Sequence, residues 1–376
     1  MTRVLLAPDK FKGTLTAEQV AAHVATGLRS VLPGVEVLVV PVADGGDGTL
    51  AAAVGAGFSR VPVTATGPTG EPVDTAYGIR GAEAVVELAE VSGLAQLPGG
   101  QLAALTATSR GTGELIAAAL DAGARRIVVG IGGSACTDGG AGLLEALGAR
   151  ILTVSGAPVS PGGLGLADAA GLDLSGLHPA LAEAEVVVAC DVDNPLTGPE
   201  GAAAVYGPQK GASAVDVSTL DAALGHFADM VAAATGTDRR DEPGTGAAGG
   251  VGFGLVSVVG ATMRPGAELV FELTGLAAAM ADVDLVVTGE GSLDEQTLNG
   301  KAPAAVAGLA RGLGIRVVAV AGRVLLARHQ ADAAGMTSTY ALLDVASSVE
   351  EAMTAPGPLL EQVGAQIAID HLGGGS

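Results

Sequence analysis

Val4-Leu5-Leu6-Ala7 near the start of the chain and Asp284-Leu285-Val286-Val287-Thr288 near its end decide the reading of the fold. Each is a short apolar run that stops at a polar, glycine-bearing loop. Pro8-Asp9-Lys10-Phe11-Lys12-Gly13 follows the first, and Gly289-Glu290-Gly291 follows the second. Strands with one wet face alternate apolar and polar residues, whereas unbroken runs suit strands covered on both faces, as in parallel sheets. The same grammar recurs at 36–42, 316–321 and 338–342, with helical stretches at about 16–31 and 302–313. Thr16 and Gln19 have the spacing of a capping box at the first helix. The expected fold is therefore α/β, a doubly wound parallel sheet assembled from both ends of the chain.

Between about 65 and 280 the rhythm changes to turn-rich segments such as Thr66-Gly67-Pro68-Thr69-Gly70 and Pro161-Gly162-Gly163. Two more buried strands, at 126–130 and 185–189, each run into a polar loop. This predicts an inserted second α/β domain over 66–280, with 1–65 and 281–376 forming the first.

Composition limits the function. With 376 residues, 49% of them apolar, the chain can bury a large core, and 59 glycines imply many tight turns. A net charge of −21 repels nucleic acid and anionic membranes, so neither is an expected partner. The uncharged stretch Gly244–Met263 carries seven glycines and reads as a loop running into a buried helix, not a membrane span. The apolar run before Asp9 is too short for a secretory signal, and a cytoplasmic location is expected. Two cysteines and five scattered histidines suggest neither a disulfide framework nor a zinc site. The chain's field also repels a polyanion such as ATP, so a nucleotide site would need Mg²⁺ and a local set of cations. Of 19 basic residues only Lys10, Lys12, Lys210 and Lys301 are lysines, and all four sit in glycine-bearing segments.

The chain lacks G-x-x-x-x-G-K-[ST] and a first-strand G-x-G-x-x-G, which argues against a Walker ATPase or a Rossmann dehydrogenase. It has instead a series of glycine- and carboxylate-bearing loops just after expected strands, where open α/β sheets bind ligands. Ala7–Thr14 joins Lys10 and Lys12 to a glycine turn before a helix, an arrangement suited to an anion. In Val42–Thr49, Gly45 and Gly46 allow close backbone approach while Asp44 can hold a cation or hydroxyl. Thr108–Glu114 has the look of a helix cap open to an anion. Gly130–Gly140 places five glycines, among them Gly132 and Gly133, beside Ser134 and Asp138. Asp191 and Asp193 fall on one side of an extended chain ahead of Asn194 and Pro195, which suits Mg²⁺ or a base with an orienting partner. Thr288–Thr297 contributes Glu290 and Asp294, and Lys301 follows at a helix start. Ordinary turn and capping chemistry is the alternative for each loop taken singly.

In this order and on a chain of this length the loops resemble the bacterial glycerate kinases. The likeness runs nearly end to end through Ala7–Gly13, Ala43–Thr49, Gly130–Gly142, Cys190–Leu196, Tyr206–Ala212, Gly246–Gly252 and Thr288–Pro303. It departs from the family pattern at Cys136-Thr137, where Thr-Asn is common, at Asp47, where Glu is common, and at Ser292, where Arg is common. The resemblance implies a Rossmann-like domain built from both termini, an inserted domain, and a site in the cleft between them. It also implies ATP and Mg²⁺ as co-substrates and glycerate as phosphoryl acceptor. Chemistry and placement then assign catalytic roles to Asp191, as base, and to Lys12 and Lys301, on anionic oxygens. Asp193 is the expected metal ligand. Lys10, Asp44, Gly45, Gly46, Gly132, Gly133, Ser134, Asp138, Asn194, Gly249, Gly250, Glu290 and Asp294 are expected to bind substrate or nucleotide. Two rival readings keep the fold: a nicotinamide-nucleotide oxidoreductase, disfavoured by the missing fingerprint, and a non-catalytic small-acid sensor, disfavoured by the Asp191/Asp193 pair.

Overall fold

The computed structural model describes residues 2–11, 13–299 and 301–373. In chain order its strands are β1 (Arg3–Pro8), β2 (Glu36–Val39), β3 (Ser59–Thr66), β4 (Pro72–Arg80), β5 (Glu83–Glu87), β6 (Arg126–Gly130), β7 (Arg150–Thr153), β8 (Ala169–Asp173), β9 (Glu185–Ala189), β10 (Thr262–Arg264), β11 (Leu285–Leu293), β12 (Arg316–Val324) and β13 (Ser338–Ala341). They divide between two compact units, Met1–Asp44 with Ala267–Ser376, and Gly45–Gly266.

The first unit holds a five-stranded sheet in the order β13-β12-β11-β1-β2, and every pairing in it is parallel. The unbroken apolar runs explain why. Val4 and Leu6 enter one core with the helices Ala17–Val31 and Pro356–Leu372. Leu5 and Ala7 enter the other, against the helix Ala302–Gly312. Both faces of β1 are thus covered, as its sequence requires. The capping box forms as expected: Gln19 N donates to Thr16 Oγ1 at 3.2 Å and Thr16 N to Gln19 Oε1 at 2.9 Å.

The second unit is built on a six-stranded sheet in the order β10-β9-β6-β5-β4-β3, with β7 and β8 as a separate pair. Its β5, β6, β9 and β10 run parallel, while β3 and β4 are antiparallel additions. The Gly67-Pro68-Thr69-Gly70 turn closes the β3–β4 hairpin, with Gly67 N donating to Glu71 O at 2.6 Å.

The unit boundaries fall elsewhere than the 65/66 and 280/281 of the sequence reading. β3 belongs with β4 through eight paired positions, and the helix Thr49–Gly55 packs on β5 and β4. Ala267, Leu276 and Met280 belong to the core beneath β1 and β11. The stretch Gly244–Met263 becomes the helix Ala247–Gly254, continued by a wider turn at Leu255–Val259. Among the described residues no helix is long and apolar enough to cross a membrane.

One close approach within the first unit depends on glycine. The helices Ala17–Val31 and Pro356–Leu372 meet at Gly27 and Gly364, where a Cβ on Gly364 would lie 2.5 Å from Val24 O. A Cβ on Gly27 would overlap the Glu361 carbonyl. Gly27→Ala is expected to cost about 1–3 kcal/mol by forcing the helices apart. Gly34→Ala, which meets open space, should stay within about 0.5 kcal/mol of wild type. Urea denaturation of the two variants measures the difference.

Candidate active site

In the first unit the chain leaves β1 toward β2 on one side, while β11, β12 and β13 fill the other side. Strand order therefore reverses between β1 and β11, and in open α/β sheets ligands bind at the carboxyl ends beside such a reversal. The two strands are tied there by Thr288 Oγ1 donating to Ala7 O at 2.8 Å and Asp9 N to Gly289 O at 2.8 Å. Asp9 leaves β1 at this edge. Asp44 arrives from the β2 side, where Val42 N still bonds to Pro8 O at 3.1 Å, and Glu290 lies on β11.

The electrostatics of this edge centre on Asp9, which the sequence reading passed over in favour of its lysine neighbours. Burial, and then the Asp44 charge, push its carboxyl from the usual carboxylate range up to about 7, with Glu290 adding to the rise. Lys10 opposes them through its backbone N–H, 2.7 Å from Asp9 Oδ1, and through its ammonium charge. Glu290 is also raised by burial, although Thr297 Oγ1 donates to it at 2.5 Å and Lys301 Nζ stands 3.7 Å away. Lys301 sits at the N-cap of the helix Ala302–Gly312. Asp294 accepts from Gln296 N at 3.0 Å and so shapes its own turn. Beside it, Arg323 Nε donates to Ser292 Oγ at 3.0 Å, so β12 brings a guanidinium to this loop. Lys12 lies outside the described residues.

In the second unit the glycine loops pack backbone on backbone. A Cβ on Gly132 would lie 2.7 Å from Gly46 Cα, and one on Gly130 2.7 Å from Gly45 O. Gly46, Gly132 and Gly133 retain surface exposure, while Gly45 is buried. The polar side chains expected around these loops turn inward. Asp138 is fully buried and accepts from Ser109 N, Ser109 Oγ, Gly140 N and Gly142 N at 2.8, 2.9, 3.2 and 3.3 Å. Its part is to set the shape of the loop. Ser134 Oγ accepts from Lys210 Nζ at 2.8 Å, and the same ammonium reaches Cys136 O at 2.5 Å. Lys210 is almost wholly buried, and burial lowers its pKa against the opposing influence of Cys136 and Asp138. Gly249 and Gly250 face the backbone at Cys136–Gly139, with Gly139 N donating to Gly249 O at 3.0 Å. Asn194 is engaged by Tyr206 Oη at 2.6 Å and donates to Glu200 O at 2.8 Å.

Asp191 and Asp193 both lie on the surface after β9. Asp191 Oδ1 accepts from Gly266 N at 2.8 Å, which fixes the carboxylate's orientation. Among the described residues no three acidic, His or Cys side chains converge to hold a metal ion. Mg²⁺ takes one or two carboxylates and fills its octahedron with water and phosphate oxygens, and the exposed carboxylates of Asp191 and Asp193 are donors of that chemistry.

A family model described as the glycerate kinase family matches residues 4–371. The chain belongs to the glycerate kinase family. It is 43% identical over 369 residues to a glycerate kinase of Bacillus subtilis, covering 97% of both chains. To a glycerate 2-kinase of Escherichia coli it is 40% identical over 354 residues, 93% of each. A crystal structure from Salmonella typhimurium LT2, of a protein provisionally named glycerate kinase 2, is 41% identical and has a TM-score of 0.85, covering 98% of this chain and 97% of that one. Kinase family membership sets aside the oxidoreductase and sensor readings.

The raised carboxyl of Asp9 links stability to pH. Its folded pKa lies above the unfolded value, so its contribution is complete below about pH 4 and is lost as pH rises through about 7. Over that window it removes at most about 1.4 kcal/mol per pH unit. Asp9→Asn has no proton to lose, so its melting temperature should fall less steeply than wild type between about pH 5 and 8. Thermal melts across that range check it.

Proposed function

We propose that this chain transfers the γ-phosphoryl group of ATP to the 2-hydroxyl of D-glycerate. The activity follows from membership in the family, and the choice of hydroxyl rests on the likeness to the Escherichia coli glycerate 2-kinase. The observation that carries the mechanism is the position of Asp9, just past β1 at the strand-order reversal, where burial and the Asp44 charge push its carboxyl up to about 7. A general base works best when its pKa is near the working pH. Asp9 therefore takes the proton of the acceptor hydroxyl, the role that chemistry and placement in the sequence gave to Asp191. Lys10, Lys301 and Arg323 hold anionic oxygens of the reactants. Lys12, two residues beyond Lys10, serves the same end.

Phosphoryl transfer rests on positioning and charge neutralisation. Gly46, Gly132 and Gly133 give the nucleotide bare backbone to approach, on loops held from within by Asp138 and Lys210. Asp191 and Asp193 would hold Mg²⁺, which when bound neutralises phosphate charge. Asp191 enters that role already oriented by Gly266 N. The first unit's parallel sheet, covered on both faces, serves as the Rossmann-like half of the molecule. Dependence on ATP is consistent with a cytoplasmic setting.

Incubation with ATP, Mg²⁺ and D-glycerate, followed by NMR of the products, should give 2-phosphoglycerate; the 3-isomer would overturn the regiochemistry, and no phosphoglycerate would overturn the activity. EDTA should abolish turnover. Asp9→Asn should lower kcat by about 10²–10⁴-fold with Mg·ATP affinity intact. Asp191→Asn should instead weaken Mg·ATP binding, with part of the rate restored by excess metal. Calorimetry beside steady-state kinetics separates the two roles, and an exchange of the two results would return the base to Asp191.

A further inference from the structure

Glu87 ends β5 with its side chain buried, only 1% exposed. Its two oxygens serve one turn: Gly48 N donates to Oε1 at 2.9 Å and Leu50 N to Oε2 at 2.8 Å. Two acidic groups act on it, Glu90 from the helix Ala89–Ser92, itself paired with Arg60, and Asp47 from that turn. Burial pushes the Glu87 carboxyl up to about 7, against the two backbone N–H groups that hold it down. A buried carboxylate near like charge is costly to keep ionised, and these two bonds go to the backbone of the Gly45–Leu50 turn. That turn is the one that packs on Gly130 and Gly132. Glu87 is registered opposite Gly130 in the β5–β6 ladder, and the next residue, Leu88, donates its N–H to Gly130 O at 2.9 Å. One side chain thus stands at the root of both glycine loops and holds one of them against the other.

We propose that ionised Glu87 is a positioning residue for phosphoryl transfer, setting the spacing of the Gly45–Gly48 and Gly130–Gly133 loops. The proposal rests on the reading of those loops as the nucleotide's cradle. Each carboxylate oxygen accepts one backbone N–H of the turn. Glu87→Gln keeps the size of the side chain but turns an NH₂ group toward one of those donors, which removes one of the two bonds.

The test is amide hydrogen exchange read by mass spectrometry, corrected for intrinsic rate, on wild type and Glu87→Gln at one pH, about 8, beside kcat and KM for ATP. The variant should protect the peptide covering 44–54 less well than wild type, with peptides from β11 and β12 unchanged. Its kcat/KM for ATP should fall about 10–100-fold. Equal protection in both proteins, or lost protection with kcat/KM within about twofold of wild type, overturns the proposal. If Glu87→Gln does not fold, Glu87→Asp, one methylene shorter and still a carboxylate, is measured in the same way, and protection of 44–54 equal to wild type overturns the clamp. Wild type without turnover on glycerate would overturn the functional reading alone, and the exchange data would still judge the clamp.

Discussion

The ladder between β1 and β11 joins residues 281 positions apart, and the first unit depends on it. Hydrogen bonding alone does not hold it. Val4, Leu5 and Leu6 are buried to 1% or less, each facing one of two helical layers, so the pairing is secured by apolar area on both sides. The reversal of strand order follows from this one adjacency. It brings Asp9 and Glu290 to the same edge, with Asp44 entering from the β2 side, and the burial and then the negative charge that lift the Asp9 carboxyl are results of topology before they are properties of any loop.

The second unit meets a different constraint. Its glycine loops need backbone to lie against backbone, which leaves little room for side chains to stiffen them from outside. Stiffness comes from beneath: Asp138 gathers backbone and hydroxyl donors, Lys210 holds Ser134 and Cys136, and Glu87 holds the facing turn. Each is a charged group taken almost wholly out of water, at a cost offset only because its hydrogen bonds are nearly all made.

The strands of the first unit were legible because a strand covered on both faces writes its burial directly into sequence, as Val4–Ala7 and Asp284–Thr288 do. The β3–β4 hairpin was not. Residues along β3 are mostly exposed or half-buried and Pro62 interrupts the run, so its only plain signal is the Gly67–Gly70 turn that closes it. In the site, the loops were legible from their glycines, but the direction each side chain faces was not. Asp138 looks from sequence like a ligand-binding group, because a charged residue in a glycine loop carries no mark of depth. Glu87 has a mark, an acid at the end of the apolar run Ala84-Val85-Val86, whereas Asp9 shares its segment with Lys10 and Lys12, whose charge marks the loop as suited to an anion.

The same long ladder sets a timetable for synthesis. β1 leaves the ribosome first, yet its partner β11 follows only after the whole of Gly45–Gly266 has been made. At about 5–20 residues per second the delay is roughly 15–55 s. Throughout that interval the second unit can fold on its own residues, while Val4-Leu5-Leu6-Ala7 remains an apolar strand with β2 on one side and an open edge on the other. Such an edge invites pairing with a neighbouring nascent chain. Asp9, Lys10 and Lys12 follow it directly in the sequence, and charge beside an open edge discourages that encounter.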